Sequence, residues 1–440
     1  MEKKQKIFSF LFILYWLTLW FSINASLHEA HEGGVLFTFS LINFSENIIR
    51  SVNYSRIILP LIFTSLIITY FIFIIIFKKE KINKVYLFII LIFFSQIIGL
   101  YFNEERNFST FNAYLPFFCI GTVCLFALND QIQIKNTIKY FFLIEILILF
   151  LVFVTILSLK INELENLNFN NLFSERDNNI FNNNNPRITG LSRTLAMINL
   201  FLIVYIFSLK QFFFKLFLLI LTSFFSILLL LMEARGTLLS YFITLFFIII
   251  FLTKYEAIFK IKYFLLLIIF PIILFIFIFN STENKNLPKD NNKIFNSRII
   301  SPNTSGRLDT WTYIFKNYEY KKIFGYGPQG DRFFLKNYPN KNNYGDNSSN
   351  ILAYTMLSGG IVAVFIWCLV FFEIIKIFIK NKNNFFFNMK NFYLNFSITC
   401  IVFFSIRSLV ENSFGLFSID FLMIFLSIVY ILNSSKILMK

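Results

Sequence analysis

Residues 57–84 read IILPLIFTSLIITYFIFIIIF followed by KKEKINK. The first part, 57–77, holds no charged side chain, and the second holds the lysines Lys78, Lys79, Lys81 and Lys84. About 20 apolar residues wound as a helix match the hydrocarbon thickness of a bilayer. A lysine cluster at the end of such a run marks the cytoplasmic side. The stretch therefore reads as a membrane-crossing helix that exits inside.

Its pattern recurs along the chain. Apolar runs long enough to span a bilayer occur at roughly 7–24, 57–77, 85–102, 111–129, 139–159, 194–209, 212–232, 237–253, 263–280, 350–375, 391–410 and 415–433. Lysines follow every second run, at Lys135 and Lys139, Lys210 and Lys215, Lys254, Lys260 and Lys262, and Lys376, Lys380, Lys382 and Lys390. Lys3, Lys4 and Lys6 precede the first run, and Lys436 and Lys440 follow the last. The expected fold is an all-α polytopic membrane protein with about twelve transmembrane helices. It forms a single integral membrane domain over 1–440 with both termini in the cytoplasm. The opening residues precede an apolar run with no small-residue cleavage site, which reads as a retained first span.

Composition agrees. A chain that is 57% hydrophobic carries more apolar surface than a soluble domain hides. Its phenylalanines number 65, but Phe, Ile, Asn and Lys dominate together, as AT-rich coding produces, so the aromatic richness needs no binding role. The net charge of +16 rests largely on the inner lysines, which hold orientation against anionic lipid, so nucleic acid is not an expected partner. Cys119, Cys124, Cys368 and Cys400 all lie within apolar runs and read as small core hydrophobes.

Arginine behaves differently from lysine. Arg50, Arg56, Arg106, Arg176, Arg187, Arg193, Arg235, Arg298, Arg307, Arg332 and Arg407 all fall on the outer side of this topology, against the positive-inside bias. Where lysine would serve as a plain cation, AT-rich coding supplies lysine. Arginine's planar fork suits bidentate phosphate recognition, so an anionic ligand at the outer face is the first functional expectation.

Two outer loops are long, about 160–193 and 281–349, the latter between spans nine and ten. Within it Leu308, Trp311, Ile314 and Phe315 recur at helical spacing, which predicts an amphipathic helix on the outer leaflet. Ser305-Gly306-Arg307, Trp311, Phe324-Gly325-Tyr326-Gly327, Asn350 and Gly360 then follow in order. Gly325, Gly327 and Gly330 make a turn and not a nucleotide loop, because no Gly-Lys-Ser/Thr follows.

This series resembles the core of the O-antigen polymerase and O-antigen ligase superfamily of membrane glycosyltransferases. Arg235-Gly236 at an outer helix mouth and Arg187-x-x-Gly190 before a span extend the resemblance over roughly 185–415. Such enzymes transfer glycans from an undecaprenyl pyrophosphate carrier at the periplasmic face of the inner membrane, and 281–349 becomes the large periplasmic loop. The resemblance implies metal-independent transfer with inversion at the anomeric carbon. It also implies undecaprenyl-pyrophosphate-linked glycans and membrane lipid as partners, with a chain-length regulator protein as a further one. Ligases carry a histidine immediately before the asparagine, where this chain has Ser349. The departure favours the polymerase branch, in which lipid-linked repeat units are joined, over transfer of finished glycan to a lipid A core.

Sugar-linked pyrophosphate is a good leaving group whose departing charge needs stabilisation. No outer Asp-x-Asp or Glu-x-x-His set is evident, so arginine is the expected device, with no metal and no other cofactor. Arg187, Arg235, Arg307 and Arg407 are the candidate pyrophosphate ligands, and Asn350 and Ser349 the candidate substrate-binding residues. A general base for the acceptor hydroxyl is sought among Asp346, Glu411 and Asp309, with Glu233 as an alternative. Arg407 and Glu411 are four apart, hence on one helical face at the end of a span. They read equally as a functional or a structural ion pair. His28 and His31 read as solvated. A flippase or other transporter is the rival of another class. Transporters gather polar groups at mid-membrane and show internal repeats, whereas here the spans are nearly free of charge at mid-depth.

Overall fold

The computed structural model describes chiefly residues 46–78, 82–103, 110–127, most of 134–147, 188–209, 211–231, 235–252, 307–319, 322–338, 348–380, 392–411 and 419–438. All regular structure among them is helical. The helices are α1 (Glu46–Lys78), α2 (Lys84–Tyr101), α3 (Thr110–Ala127), α4 (Ile188–Ser208), α5 (Phe212–Leu231) and α6 (Arg235–Phe247), which continues as a π-helical turn over Ile248–Leu252. They continue as α7 (Arg307–Asn317), α8 (Gly330–Phe334) with a 3-10 turn at Leu335–Asn337, α9 (Ile351–Lys380), α10 (Phe392–Arg407) and α11 (Ile419–Leu438). The runs expected at 7–24 and 263–280, and most of 139–159, lie outside the described residues.

Three described helices are long and apolar enough to cross a membrane, Lys84–Tyr101, Phe212–Leu230 and Ile351–Ile377. Shorter apolar helices occupy 61–77, 116–127, 192–208, 236–250, 392–407 and 420–434. Each of these nine coincides with an expected run. The start of α1 lies eleven residues before its apolar run because the helix extends through the polar stretch 46–56. An apolar window detects only the part that lipid or core must cover. Asn83 starts α2 by accepting the Val85 amide at 3.0 Å, satisfying a donor that the first turn leaves open.

Helices α2 and α9 form the most extensive pair, flanked by α3, and α4, α6, α10 and α11 pack as a second group. One buried core runs through both, with Phe93, Phe126, Phe142, Phe396, Phe403 and Phe404 among its largest side chains. Between α4, α5 and α6, Asn199 Nδ2 donates to Thr222 O, Ser226 Oγ and Tyr241 Oη at 2.8–3.1 Å. Interhelical polar contacts of this kind contribute roughly 0.6 kcal/mol each within a membrane. Cys119, Cys124 and Cys400 are buried as expected, but Cys368 is exposed on an outward face of α9.

The kink in α9 positions the functional region. Gly360 takes φ 73° and ψ −171°, breaking the helix nine residues after its start. The carbonyls of Leu357 and Ser358 are thereby available to accept the amides of Tyr326 (2.7 Å) and Gly327 (3.0 Å). Gly325 and Gly327 have φ of 68° and 86°, a left-handed backbone that favours glycine. Leu100 near the end of α2 would meet a Cβ on Gly327 at 2.7 Å. The Phe324–Gly327 turn is thus wedged between α2 and α9 and does not lie free above them.

Candidate functional site

The amphipathic helix forms at α7, but it buries Thr310 and Ile314, while Leu308 and Phe315 remain exposed. Ile314 joins Tyr318, Tyr326, Leu335, Tyr338, Ala353 and Leu357 in a small second core between the loop and the first turns of α9. That packing turns the Trp311 and Ile314 half of the expected stripe, with Thr310, towards the protein, and leaves Leu308 and Phe315 outside. Trp311, half-buried, donates its indole N–H to Ser348 O at 2.7 Å.

Ser348 is fixed a second time by Asp331, whose Oδ2 accepts from the Ser348 amide (3.2 Å) and hydroxyl (3.1 Å). Asp331 is fully buried, which raises its pKa, while the bonds from Ser348 and the Arg332 amide oppose the rise. Sequence reasoning missed Asp331, since no pattern around Gly330-Asp331-Arg332 announces burial. Next in the chain, Ser349 is buried with φ 47°, a strained conformation for a residue with a side chain. Asn350 caps α9, its Oδ1 accepting from Leu352 N (2.8 Å) and Ala353 N (3.2 Å). Its Nδ2 donates to Leu409 O at 3.0 Å, and Ile351 N donates to Ser408 O at 3.1 Å. The start of α9 is therefore tied to the end of α10.

That junction carries a chain of charges. Arg407 places Nη1 2.6 Å from Asp420 Oδ2 and Nη2 2.6 Å from Glu411 Oε2. Asp420 also meets Arg193 Nε at 2.8 Å, and Glu411 meets Arg307 Nη2 at 3.8 Å. Five side chains from α4, α7, α10, α11 and the turn after α10 thus join, three cationic and two anionic. Asp420 is 1% exposed and Arg407 3%, whereas Glu411 and Arg307 are 24% and 22% exposed. The helix α6 begins beside them: a Cβ on Gly236 would stand 3.6 Å from Glu411 Oε1. Arg235 is the first residue of that helix.

Contacts with α7 and Asn350 close a ring: Arg307 to Glu411, Leu409 to Asn350, and Ser348 back to Trp311. These contacts also fix helix directions. From this end α4, α6, α9 and α11 run away, and α10 runs towards it, the alternation expected of the corresponding spans. The structure thus brings together Arg307, Arg407, Glu411, Asn350 and Ser349, with the first residue of α6 adjoining. Asp309 is exposed in the first turn of α7. Arg187 and Asp346, like Glu233, His28 and His31, lie outside the described residues. Arg193 and Asp420 extend the expected set. Asp420 is an isolated acid inside an apolar run, a signal that marks a functional candidate by default.

Among the described residues no three His, Cys, Asp or Glu side chains gather as a metal-ligating group. The arrangement is instead a cation-rich cluster with its outer members partly open to solvent, which is suited to binding an anion.

Residues 216–368, about a third of the chain, match the family model described as O-antigen ligase. The matched stretch begins inside α5 and ends inside α9. It includes Arg235, Arg307, the Phe324–Gly327 turn, Asn350 and Gly360, but not Arg193, Arg407, Glu411 or Asp420. No curated protein and no solved structure gives a match. The match, together with the turn, the cap and the kink that it spans, makes residues 216–368 of this all-helical chain similar to the O-antigen ligase and polymerase superfamily.

Proposed function

We propose that the protein is a polymerase that joins lipid-pyrophosphate-linked glycan repeats at the periplasmic face of the bacterial inner membrane. One observation carries this reading: arginines from α4, α7 and α10 converge at one end of the bundle, where α6 also begins with Arg235. A hydroxyl of one repeat attacks the anomeric carbon of the growing glycan, the bond to the carrier pyrophosphate breaks with inversion, and the pyrophosphate leaves with the bonding electrons. Fixed arginines stabilise that leaving charge without reorganisation. Arg187, Arg235 and Arg307 are the proposed ligands, with Arg193 added by geometry. Arg407 spends both terminal nitrogens on Asp420 and Glu411, so it meets an anion only where one of these carboxylates yields. Asp309 and Asp346 remain the candidate bases for the acceptor hydroxyl.

The second reading, a ligase, draws on the description of the matched family. Ser349 in place of the ligase histidine favours the polymerase. Deleting the gene and resolving the surface glycan by length separates the two. A polymerase mutant retains glycan of single-repeat length. A ligase mutant loses attached repeats while polymer accumulates on carrier lipid. Unchanged length and attachment would overturn both.

A further inference from the structure

The two carboxylates of the charge chain differ in kind. Asp420 is sealed at 1% exposure and touches Arg193 and Arg407, so it stays as their permanent counter-ion. Glu411 is a quarter exposed, sits in the turn beyond the end of α10, and bridges the buried Arg407 to the partly open Arg307. Its contact with Arg307, at 3.8 Å, is the loosest of the chain. Both Glu411 oxygens thus occupy the place between two guanidinium groups that an oxyanion would take.

We infer that Glu411 is a displaceable counter-ion: it holds the anion position when the site is empty and yields it when a pyrophosphate binds. This rests on the proposed pyrophosphate reading and separates Glu411 from the candidate general bases. Charge supports it. Arg193, Arg307 and Arg407 against Asp420 and Glu411 leave one net positive charge. With Glu411 turned out to solvent, two positive charges face the ligand, which matches the two negative charges of a pyrophosphate diester. Movement of the side chain is feasible because residue 411 lies four residues beyond Arg407, the last helical residue of α10, and is only partly covered.

The test measures binding of farnesyl pyrophosphate, a short soluble stand-in for the carrier, to the detergent-purified full chain by titration calorimetry. Wild type, Glu411→Gln and Glu411→Asp are compared at one pH and ionic strength. The inference expects Glu411→Gln to bind at least fivefold more tightly, because ligand no longer competes with a resident carboxylate. Glu411→Asp, shorter by one methylene and weaker on Arg307, binds with intermediate affinity, and it serves alone if the glutamine variant does not fold. Binding by wild type with equal or weaker binding by the variants overturns the displaceable role and leaves the pyrophosphate reading standing. No binding by any of the three overturns both.

Discussion

Gly325 and Gly360 meet backbone to backbone: a Cβ on Gly325 would stand 2.7 Å from the Gly360 amide nitrogen. Both also have positive φ. The turn in the loop and the kink in α9 are therefore one joint. Gly325→Ala or Gly360→Ala adds a side chain where the backbone is left-handed and no space exists. Each is expected to cost at least ~1–3 kcal/mol and to lower the melting temperature of the purified protein. A melting temperature equal to wild type in both variants would show that the joint is not formed.

Asn350 is expected to act first as a cap. Asn350→Ala loses the acceptor for Leu352 N and Ala353 N and is expected to cost about 0.5–2 kcal/mol. Asn350→Asp keeps that cap but loses the donor to Leu409 O. If Asn350 only builds the junction, the Asp variant melts between wild type and Ala. If it also touches substrate, the Asp variant loses turnover out of proportion to its stability. Melting and glycan assembly measured on the same preparations decide between the two.

Asp331 gives a pH dependence. Burial raises its folded pKa above the ordinary carboxyl value of 3.8. A raised folded value means the fold favours the protonated form. The stabilisation is fully present below the unfolded value and is lost as pH rises through the folded one. Melting temperature is therefore expected to fall as pH rises from about 4 towards neutrality, and Asp331→Asn is expected to flatten that slope. Parallel slopes for both proteins would remove Asp331 as the cause.

Breaking the sealed pair is expected to be severe. Asp420→Asn leaves Arg407 buried with one carboxylate fewer, and loss of one partner from a buried pair costs about 3–5 kcal/mol. Arg407→Lys keeps the charge but cannot reach Asp420 and Glu411 together. Both variants are expected to reduce folded yield in membranes, whereas Arg307→Lys, at the open end, is expected to fold normally. Wild-type yield for Asp420→Asn would show that the contact contributes little.

Much of this could be read from the sequence, for reasons visible residue by residue. Membrane runs are legible because lipid and core both demand apolar side chains along the whole span, so 85–102 and 212–232 nearly coincide with α2 and α5. The Phe324–Gly327 turn is legible because left-handed backbone selects glycine. Its partner is not, since nothing local ties residue 325 to residue 360. Arg407 and Glu411 are paired by helical spacing, and the structure adds that Asp420 and Arg307 complete the chain, contacts over sequence separations no periodicity encodes. Ser349 reads as a substitution against the ligase pattern, while its strained φ and its position between two pinned residues emerge only in three dimensions.

On the proposed function, fork-shaped cations at this end of the bundle handle lipid-linked pyrophosphate. Its most direct test is the length distribution of surface glycan in a gene-deletion strain complemented with Arg307→Lys or Arg235→Lys, with protein levels matched to wild type. Lysine keeps the charge and removes the fork. Glycan that stays at single-repeat length with either variant is the predicted result. Full-length polymer with both would mean that pyrophosphate is not held by these forks.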